Sequence, residues 1–120
     1  MRVAGIGYRN GAPLASLRAA LALAEAAGGQ VEALATLPGK RAGLQALAAE
    51  RGLPLWGVAV AGVATPTQSP RSLAMHGTGS VAEAAALVAA GAGARITVAR
   101  ITAPDGMATC AIAETEGNSE

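Results

Sequence analysis

Aromatic residues are almost absent from this sequence of 120 residues. It has no phenylalanine, and its only aromatic side chains are Tyr8 and Trp56. A surface that binds single-stranded nucleic acid by stacking bases on several rings is therefore not expected. The formal net charge is only +1 and there is a single lysine. Nonspecific binding to the phosphate backbone of a nucleic acid is therefore not expected either. We expect no nucleic-acid partner and a core built from alanine, valine, leucine and isoleucine.

Cysteine is equally scarce. Cys110 is the only one, which excludes an internal disulfide framework and cannot by itself form a structural zinc site, since such a site needs about four ligands. The neighbours of Cys110 are small and apolar, so we expect a buried core residue and not a reactive thiol. The sequence predicts no metal site and no bound cofactor.

Long apolar runs are also missing. No uninterrupted apolar stretch approaches the roughly 20 residues that cross a bilayer, and the first residues lack the basic segment and cleavage site of an export signal. With 52% hydrophobic and 14% charged residues, the chain is too apolar to stay unfolded. We expect one cytoplasmic domain over residues 1–113 with no membrane partner and a flexible tail over 114–120. The alanine-rich surface is compatible with a homodimer.

The order of the apolar segments predicts an α/β fold. Strands are expected at residues 2–8, 31–37, 55–60, 95–101 and 108–113. Helices are expected from Pro13 to Gly28, from Leu44 to Gly52 and from Val81 to Ala90. This alternation predicts a three-layer α/β/α sandwich with a mostly parallel sheet of about five strands. The Asp105-Gly106 pair between the last two strands suits a tight turn and predicts an antiparallel edge hairpin.

In open sheets of this kind ligands bind at the carboxyl ends of the strands, where three loop segments should meet. The first segment has a glycine pattern resembling a dinucleotide fingerprint. Its third glycine comes one residue late, and the second strand lacks the acidic residue that would hold a ribose. Backbone amides beside Arg9 could still receive an anion, although a plain strand-to-helix turn is an equal alternative. The candidate ligand-binding residues here are Gly7, Tyr8, Arg9, Asn10 and Gly11.

The second segment follows the second strand. It contributes Thr36, Lys40 and Arg41 as candidate ligand-binding residues. Because cations near a helix N-terminus oppose the helix dipole, the adjacent pair Lys40 and Arg41 makes more physical sense if an anion binds there. A solvated helix start is the competing interpretation.

The third segment, residues 64–83, carries more hydroxyl groups than a simple connection needs, and long polar loops in small domains are often functional. Its candidate ligand-binding residues are Thr67, Ser69, Arg71, Thr78 and Ser80. Ser80 and Glu83 fit the Ser-x-x-Glu pattern of a capping box ahead of an apolar helix. Glu83 is therefore expected to be a structural cap and not a catalytic base.

His76 is the only histidine and the candidate catalytic residue. It could carry a proton or act as an axial metal ligand, while a solvated or hydrogen-bonded loop histidine is the stronger alternative. No Ser-His-Asp order and no pair of neighbouring carboxylates can be assembled around it. The residues alone therefore name no reaction.

Two stretches of the sequence, residues 5–11 and 77–87, resemble the CobE/CbiG C-terminal family of cobalamin biosynthesis proteins. The likeness extends from Val3 to about Ile112, and its most specific part is the Ser-Val-Ala-Glu-Ala-Ala run with the serine- and proline-rich loop before it. Members of the family from the anaerobic route carry extra N-terminal domains and open a lactone ring on a cobalt-precorrin. This chain has no room for those domains, so the resemblance implies the short, CobE-like form.

The resemblance implies a precorrin ligand, a flat macrocycle edged with acetate and propionate groups. Arg9, Lys40, Arg41 and Arg71 could bind these groups, and Tyr8 could pack on the ring. One hypothesis is an accessory or carrier protein that works with other cobalamin-pathway enzymes. A second is a precorrin hydrolase or isomerase that uses His76 or a loop-held water as base. A third, outside the pathway, is a small phosphate- or nucleotide-binding regulatory domain.

Overall fold

The computed structural model describes residues 1–116, and its centre is a five-stranded sheet. The strands are β1 (Arg2–Tyr8), β2 (Ala33–Thr36), β3 (Leu55–Gly57), β4 (Arg95–Thr102) and β5 (Ala108–Glu114). Their order across the sheet is β3-β2-β1-β5-β4. The pairs β1/β2 and β2/β3 are parallel, while β5 runs antiparallel to both β1 and β4. Only β5 therefore opposes the common strand direction, which confirms a mostly parallel sheet with an antiparallel hairpin.

Helices cover both faces of the sheet. They are α1 (Leu14–Gly28), α2 (Gln45–Arg51), α3 (Pro70–His76) and α4 (Val81–Ala90), and a 3₁₀ segment (Pro38–Leu44) leads into α2. One face packs against α1 and α2 through larger residues such as Ile6, Leu21 and Leu34. The other face packs against α4 through small ones such as Ala84 and Ala85. This is the predicted three-layer α/β/α arrangement.

Several predicted boundaries were wrong. The second strand begins at Ala33 and not at residue 31, and the third ends at Gly57 and not at residue 60. At Gly57 an added Cβ would lie 2.7 Å from the Cα of Pro38, so the 3₁₀ segment crosses directly over the end of β3. The turn residues after Gly57 then include Gly62 at a φ of +80°, and the chain leaves the sheet.

The helix α3 lies in a segment that the sequence predicts to be entirely loop. Pro70 occupies its first turn, Ser69 accepts a hydrogen bond from the Ser72 amide as N-cap, and Gly77 ends it in the left-handed region at a φ of +69°. These are ordinary start and stop signals for a helix. Because none of its residues is buried, α3 has no apolar periodicity by which the sequence could reveal it.

The last strand extends through Glu114, one residue beyond its predicted end. The Glu114 carboxylate accepts a hydrogen bond from Arg2 Nε at 2.9 Å, and the Thr115 amide donates to the carbonyl of Met1. Residues 117–120 of the expected tail lie outside the described residues.

Cys110 is fully buried, as expected, and burial raises the pKa of its thiol well above the usual range. Within residues 1–116, no group of three or more histidine, cysteine or acidic side chains is placed to hold a metal ion. None of the helices in that part of the chain has the length and apolar character of a membrane span.

The backbone of α4 lies very close to β1 at Gly5. A Cβ built on Gly5 would lie 1.9 Å from the carbonyl oxygen of Ala82 and 2.6 Å from the amide nitrogen of Ala86. Only glycine at this position lets the helix backbone lie on the strand. Gly5 therefore serves packing, since it accommodates a helix and not a phosphate.

We predict that Gly5→Ala destabilises the protein by about 3 kcal/mol or more, because the new methyl group overlaps backbone atoms that cannot rotate away. Chemical denaturation measures this loss. Gly39→Ala is the matched control, since nothing lies within 4 Å of a Cβ at that position, and its effect should stay within about 0.5 kcal/mol. Equal stability of the two variants would contradict the close packing of α4 on β1.

Candidate functional site

A cleft of about 270 Å³ opens at the carboxyl ends of β1 and β4. Its walls come from the end of β1, from α3, from the first turn of α4 and from the hairpin between β4 and β5. This is the edge of the sheet at which ligands bind in open α/β folds. The residues that surround it are therefore the candidate functional site.

The end of β1 brings Gly7, Tyr8 and Arg9 to the cleft. The Arg9 amide donates to the carbonyl of Met107 at 2.9 Å, which holds the exit of β1 against the hairpin turn. Asn10 and Gly11, also predicted to bind ligand, lie further along the turn and do not line the cleft.

The pair Tyr8 and Lys40 is used within the protein itself. The Tyr8 hydroxyl donates to the Lys40 carbonyl at 2.7 Å, and Lys40 Nζ donates to the Tyr8 carbonyl at 3.1 Å and to Asn10 Oδ1 at 2.7 Å. The same ammonium group lies 4.5 Å from the centre of the Tyr8 ring. The ring also packs against the core on the α1 side. Tyr8 and Lys40 therefore stabilise the chain where it leaves β1.

The other two residues of the second segment are likewise engaged elsewhere. Thr36 is fully buried and its hydroxyl donates to the Ile6 carbonyl at 2.7 Å, while Arg41 Nε donates to the Leu55 carbonyl at 3.1 Å. The structure therefore does not bring Thr36, Lys40 and Arg41 into the cleft that contains Arg9.

The third segment supplies the wall opposite the hairpin. Ser69, Arg71, Ser72 and His76 line the cleft, and all four lie on α3 or at its N-cap. Arg71 is exposed and His76 is half-buried. The predicted loop contacts Ser69, Arg71 and His76 thus come together on one short helix.

Two other hydroxyl candidates of this segment, Thr67 and Thr78, face the protein interior. Thr78 is buried and its hydroxyl donates to the Val63 carbonyl at 2.6 Å. The amide and hydroxyl of Thr67 both donate to Glu83 Oε1, at 3.0 Å and 2.9 Å. Thr67 and Thr78 therefore hold the segment in place and do not line the cleft.

The predicted capping box is only half formed. Ser80 caps α4 as expected, since its hydroxyl oxygen accepts from the Glu83 amide at 3.2 Å. Glu83 does not return the bond to Ser80, because its carboxylate accepts from Thr67 and from the Arg100 amide instead. The structural role assigned to Glu83 as a cap was therefore wrong, and it joins separate parts of the chain.

Arg100 is the main residue that the sequence did not identify. It lines the cleft from β4 and is half-buried. Strict alternation along a strand would place it on the same face as Val98, which packs on the α1 side. A bulge between Val98 and Ile101 shifts the register, and the Arg100 amide instead donates to Glu83 on α4. The hairpin also contributes Thr102, Gly106, Met107, Ala108 and Thr109.

The cleft is electropositive. Its lining includes Arg9, Arg71 and Arg100 and no aspartate or glutamate. Among residues 1–116, none of these arginines forms a salt bridge, because the three bridges found there involve other residues. Guanidinium groups bind carboxylates through paired hydrogen bonds, so the cleft is suited to a ligand that carries several carboxylates.

Asp105 lies in the hairpin turn next to this cleft, and its charge is directed away from it. Its carboxylate accepts hydrogen bonds from the Ser16 hydroxyl on α1 and from the Met107 amide, the latter at 3.0 Å. These bonds, with that from Ser16 foremost, lower the pKa of the Asp105 carboxyl. The turn that carries Gly106 and Met107 is thereby tied to α1.

Comparison with known proteins gives a consistent picture. A family model described as the cobalamin synthesis G C-terminus matches residues 2–113. The crystal structure of CobE, described as a protein from the cobalamin biosynthetic pathway, is similar at 32% identity over 99% of this chain and 93% of that one, with a TM-score of 0.83. The cobalamin biosynthesis protein chiG from Agrobacterium tumefaciens is similar at 38% identity over 97% of this chain and 99% of that one, with a TM-score of 0.71. No curated protein matches the sequence. The matches agree with the resemblance carried by residues 5–11 and 77–87.

We predict that Asp105→Asn lowers the melting temperature at neutral pH and that the difference from the unsubstituted protein disappears in acid. A carboxyl whose pKa is lowered on folding contributes stability above its ordinary pKa of about 4, and this contribution is lost as the pH falls through the lowered value. Thermal unfolding followed by circular dichroism between neutral pH and a pH of about 2 measures the difference. A gap that stayed constant over this range would show that the charge of Asp105 contributes nothing.

Proposed function

Because the chain belongs to the cobalamin synthesis G C-terminus family, we propose that it binds a precorrin intermediate of cobalamin biosynthesis in the cleft lined by Arg9, Arg71 and Arg100. In this proposal it acts as an accessory or carrier protein for neighbouring enzymes of the pathway. The observation that carries the proposal is the convergence of these arginines, without carboxylate partners among residues 1–116, at one edge of the sheet.

The chemistry of the cleft suits the edge of such a macrocycle. Acetate and propionate groups accept hydrogen bonds from guanidinium groups, each contributing roughly 1.5–3 kcal/mol. Micromolar affinity needs about 8 kcal/mol, so two or three carboxylates must be bound together while part of the ring covers apolar surface. Val81 and Met107, which are partly exposed, offer that surface beside the arginines.

The size of the cleft favours a carrier over an enclosing enzyme pocket. Pockets that enclose drug-sized ligands have volumes of roughly 300–1,000 Å³, and this open cleft of about 270 Å³ is at the small end of that scale. A tetrapyrrole-derived macrocycle is larger than most drugs, so only one edge of it would be covered. The opposite edge would stay accessible to the enzyme that makes or uses the ligand.

We predict that Arg71→Ala and Arg100→Ala each weaken precorrin binding by about tenfold to a hundredfold, since each removes a hydrogen-bonded charge pair with a carboxylate. Titration of purified protein into precorrin intermediates, followed by the visible absorption spectrum, measures the affinity. Arg95→Ala is the matched control, because Arg95 is an exposed arginine of β4 outside the cleft. Unchanged affinity in both cleft variants, or an equal loss in the control, would reject the site. If calorimetry shows that the protein binds nucleotides and precorrins cause no spectral shift, the protein is instead a nucleotide-binding regulatory domain.

Hydrolysis of a precorrin is the second candidate, because His76 lines the same cleft. A histidine there could act as general base toward a water molecule. Within residues 1–116 two carboxylates lie near the cleft, and neither is hydrogen-bonded to the imidazole: Glu83 accepts from Thr67 and the Arg100 amide, and Asp105 accepts from Ser16 and the Met107 amide. The geometry supports binding more strongly than turnover.

His76→Gln distinguishes the two candidates. If the protein binds without turnover, the substitution leaves the spectrum of the bound precorrin unchanged in time, as in the unsubstituted protein. If His76 is a base, substoichiometric protein converts the chromophore progressively and the variant is slower by about a hundredfold or more. Conversion at an equal rate by both proteins would exclude His76 as the base.

A further inference from the structure

Glu83 is a fully buried carboxylate. It lies in the first turn of α4 with 0% of its surface exposed, and it takes part in none of the salt bridges found within residues 1–116. Burial of a carboxylate is costly unless hydrogen bonds replace the lost water. The burial of a carboxylate at this position therefore needs a physical explanation.

Three hydrogen bonds compensate the burial. Oε1 accepts from the amide and the hydroxyl of Thr67 at 3.0 Å and 2.9 Å, and Oε2 accepts from the Arg100 amide at 2.9 Å. The position of Glu83 in the first turn of α4 adds a favourable interaction with the helix dipole. The two oxygens thus bind two segments that are far apart in the sequence.

Both of these segments carry an arginine of the cleft. Thr67 is followed closely by Ser69 and α3, which bears Arg71, and Arg100 itself lies at the bulge of β4. Since α3 buries none of its residues, apolar packing does little to fix it. We propose that Glu83 is a positioning residue that sets the placement of Arg71 relative to Arg100 and so tunes the cleft for a polycarboxylate. This inference rests on the proposed function of the cleft.

A carboxylate is the only ordinary side chain that can do this. Both of its oxygens accept hydrogen bonds, whereas the amide of glutamine has one acceptor oxygen and an NH₂ group that only donates. In Glu83→Gln the NH₂ group must face either Thr67 or the Arg100 amide. Both positions present a backbone amide that can only donate, although the Thr67 hydroxyl could turn to accept. The substitution keeps the size of the side chain and breaks at least one of the three hydrogen bonds.

The test uses uroporphyrin, a tetrapyrrole with acetate and propionate on every ring, as the probe. We expect Glu83→Gln to bind it about tenfold more weakly than the unsubstituted protein, a loss comparable to one hydrogen bond to a charged group. If Glu83 acts through Arg100, adding Glu83→Gln to Arg100→Ala should cost less than about threefold further, because coupled residues are not additive. Equal affinity of Glu83→Gln and the unsubstituted protein, or full additivity with both Arg100→Ala and Arg71→Ala, would overturn the proposal.

Glu25→Gln is the matched control for a general loss of stability. The Glu25 carboxylate also accepts from a backbone amide, that of Val31 at 3.0 Å, and from Arg51 at 2.8 Å, and it does not border the cleft. Its substitution should lower the melting temperature and leave uroporphyrin affinity unchanged. A loss of affinity equal to that of Glu83→Gln would assign the effect to stability and overturn the positioning role.

Amide hydrogen exchange gives a readout that needs no ligand. In Glu83→Gln we expect the amide of Arg100 or that of Thr67 to exchange at least about tenfold faster, with the core strands unchanged. Unchanged exchange at both amides would overturn the positioning role. Failure of the unsubstituted protein to bind uroporphyrin would instead overturn the proposed function of the cleft.

Thr67→Ala is the variant to use if Glu83→Gln does not fold. It removes only the hydroxyl hydrogen bond and should still weaken uroporphyrin binding by about threefold. Unchanged affinity of this variant would count against the proposal.

Discussion

The direct contact between α4 and β1 at Gly5 is the constraint on which the arrangement of the site depends. The helix α4 consists mostly of small residues and lies so close to β1 that a single methyl group on Gly5 would overlap the backbone of α4. The same contact places the first turn of α4, with Ser80 and Glu83, beside the carboxyl ends of β1 and β4. Packing of the α4 layer therefore also determines where the cleft forms.

The distribution of charge matters more for this protein than its total. The net charge of +1 suggests a nearly neutral surface. The ion pairs found within residues 1–116 are Arg2 with Glu114, Arg18 with Glu50 and Arg51 with Glu25. These pairs neutralise charge away from the cleft, so Arg9, Arg71 and Arg100 remain together at one place. A locally positive cleft on an almost neutral protein favours a compact, multiply charged ligand over a long polyanion.

Membership of a cobalamin biosynthesis family and the character of the cleft support one another. The family indicates the pathway, and the open shape with arginines at its rim agrees with the proposed contact to the edge of a macrocycle. The buried Glu83 lies beneath this rim and links α3 to β4. In the proposed function, this link holds the two sides of the cleft at a fixed spacing.

The sequence by itself determined the fold class, the succession of strands and helices, the N-cap at Ser80 and the resemblance to the family. These features depend on local periodicity and short motifs. It also placed Arg9, Arg71 and His76 among the candidates. Only the tertiary structure decided which candidates meet. A bulge turned Arg100 into the cleft, internal hydrogen bonds engaged Lys40, Thr36, Thr67 and Thr78, and Glu83 became a link between segments. Such outcomes depend on contacts between residues distant in the sequence, and no local pattern encodes them.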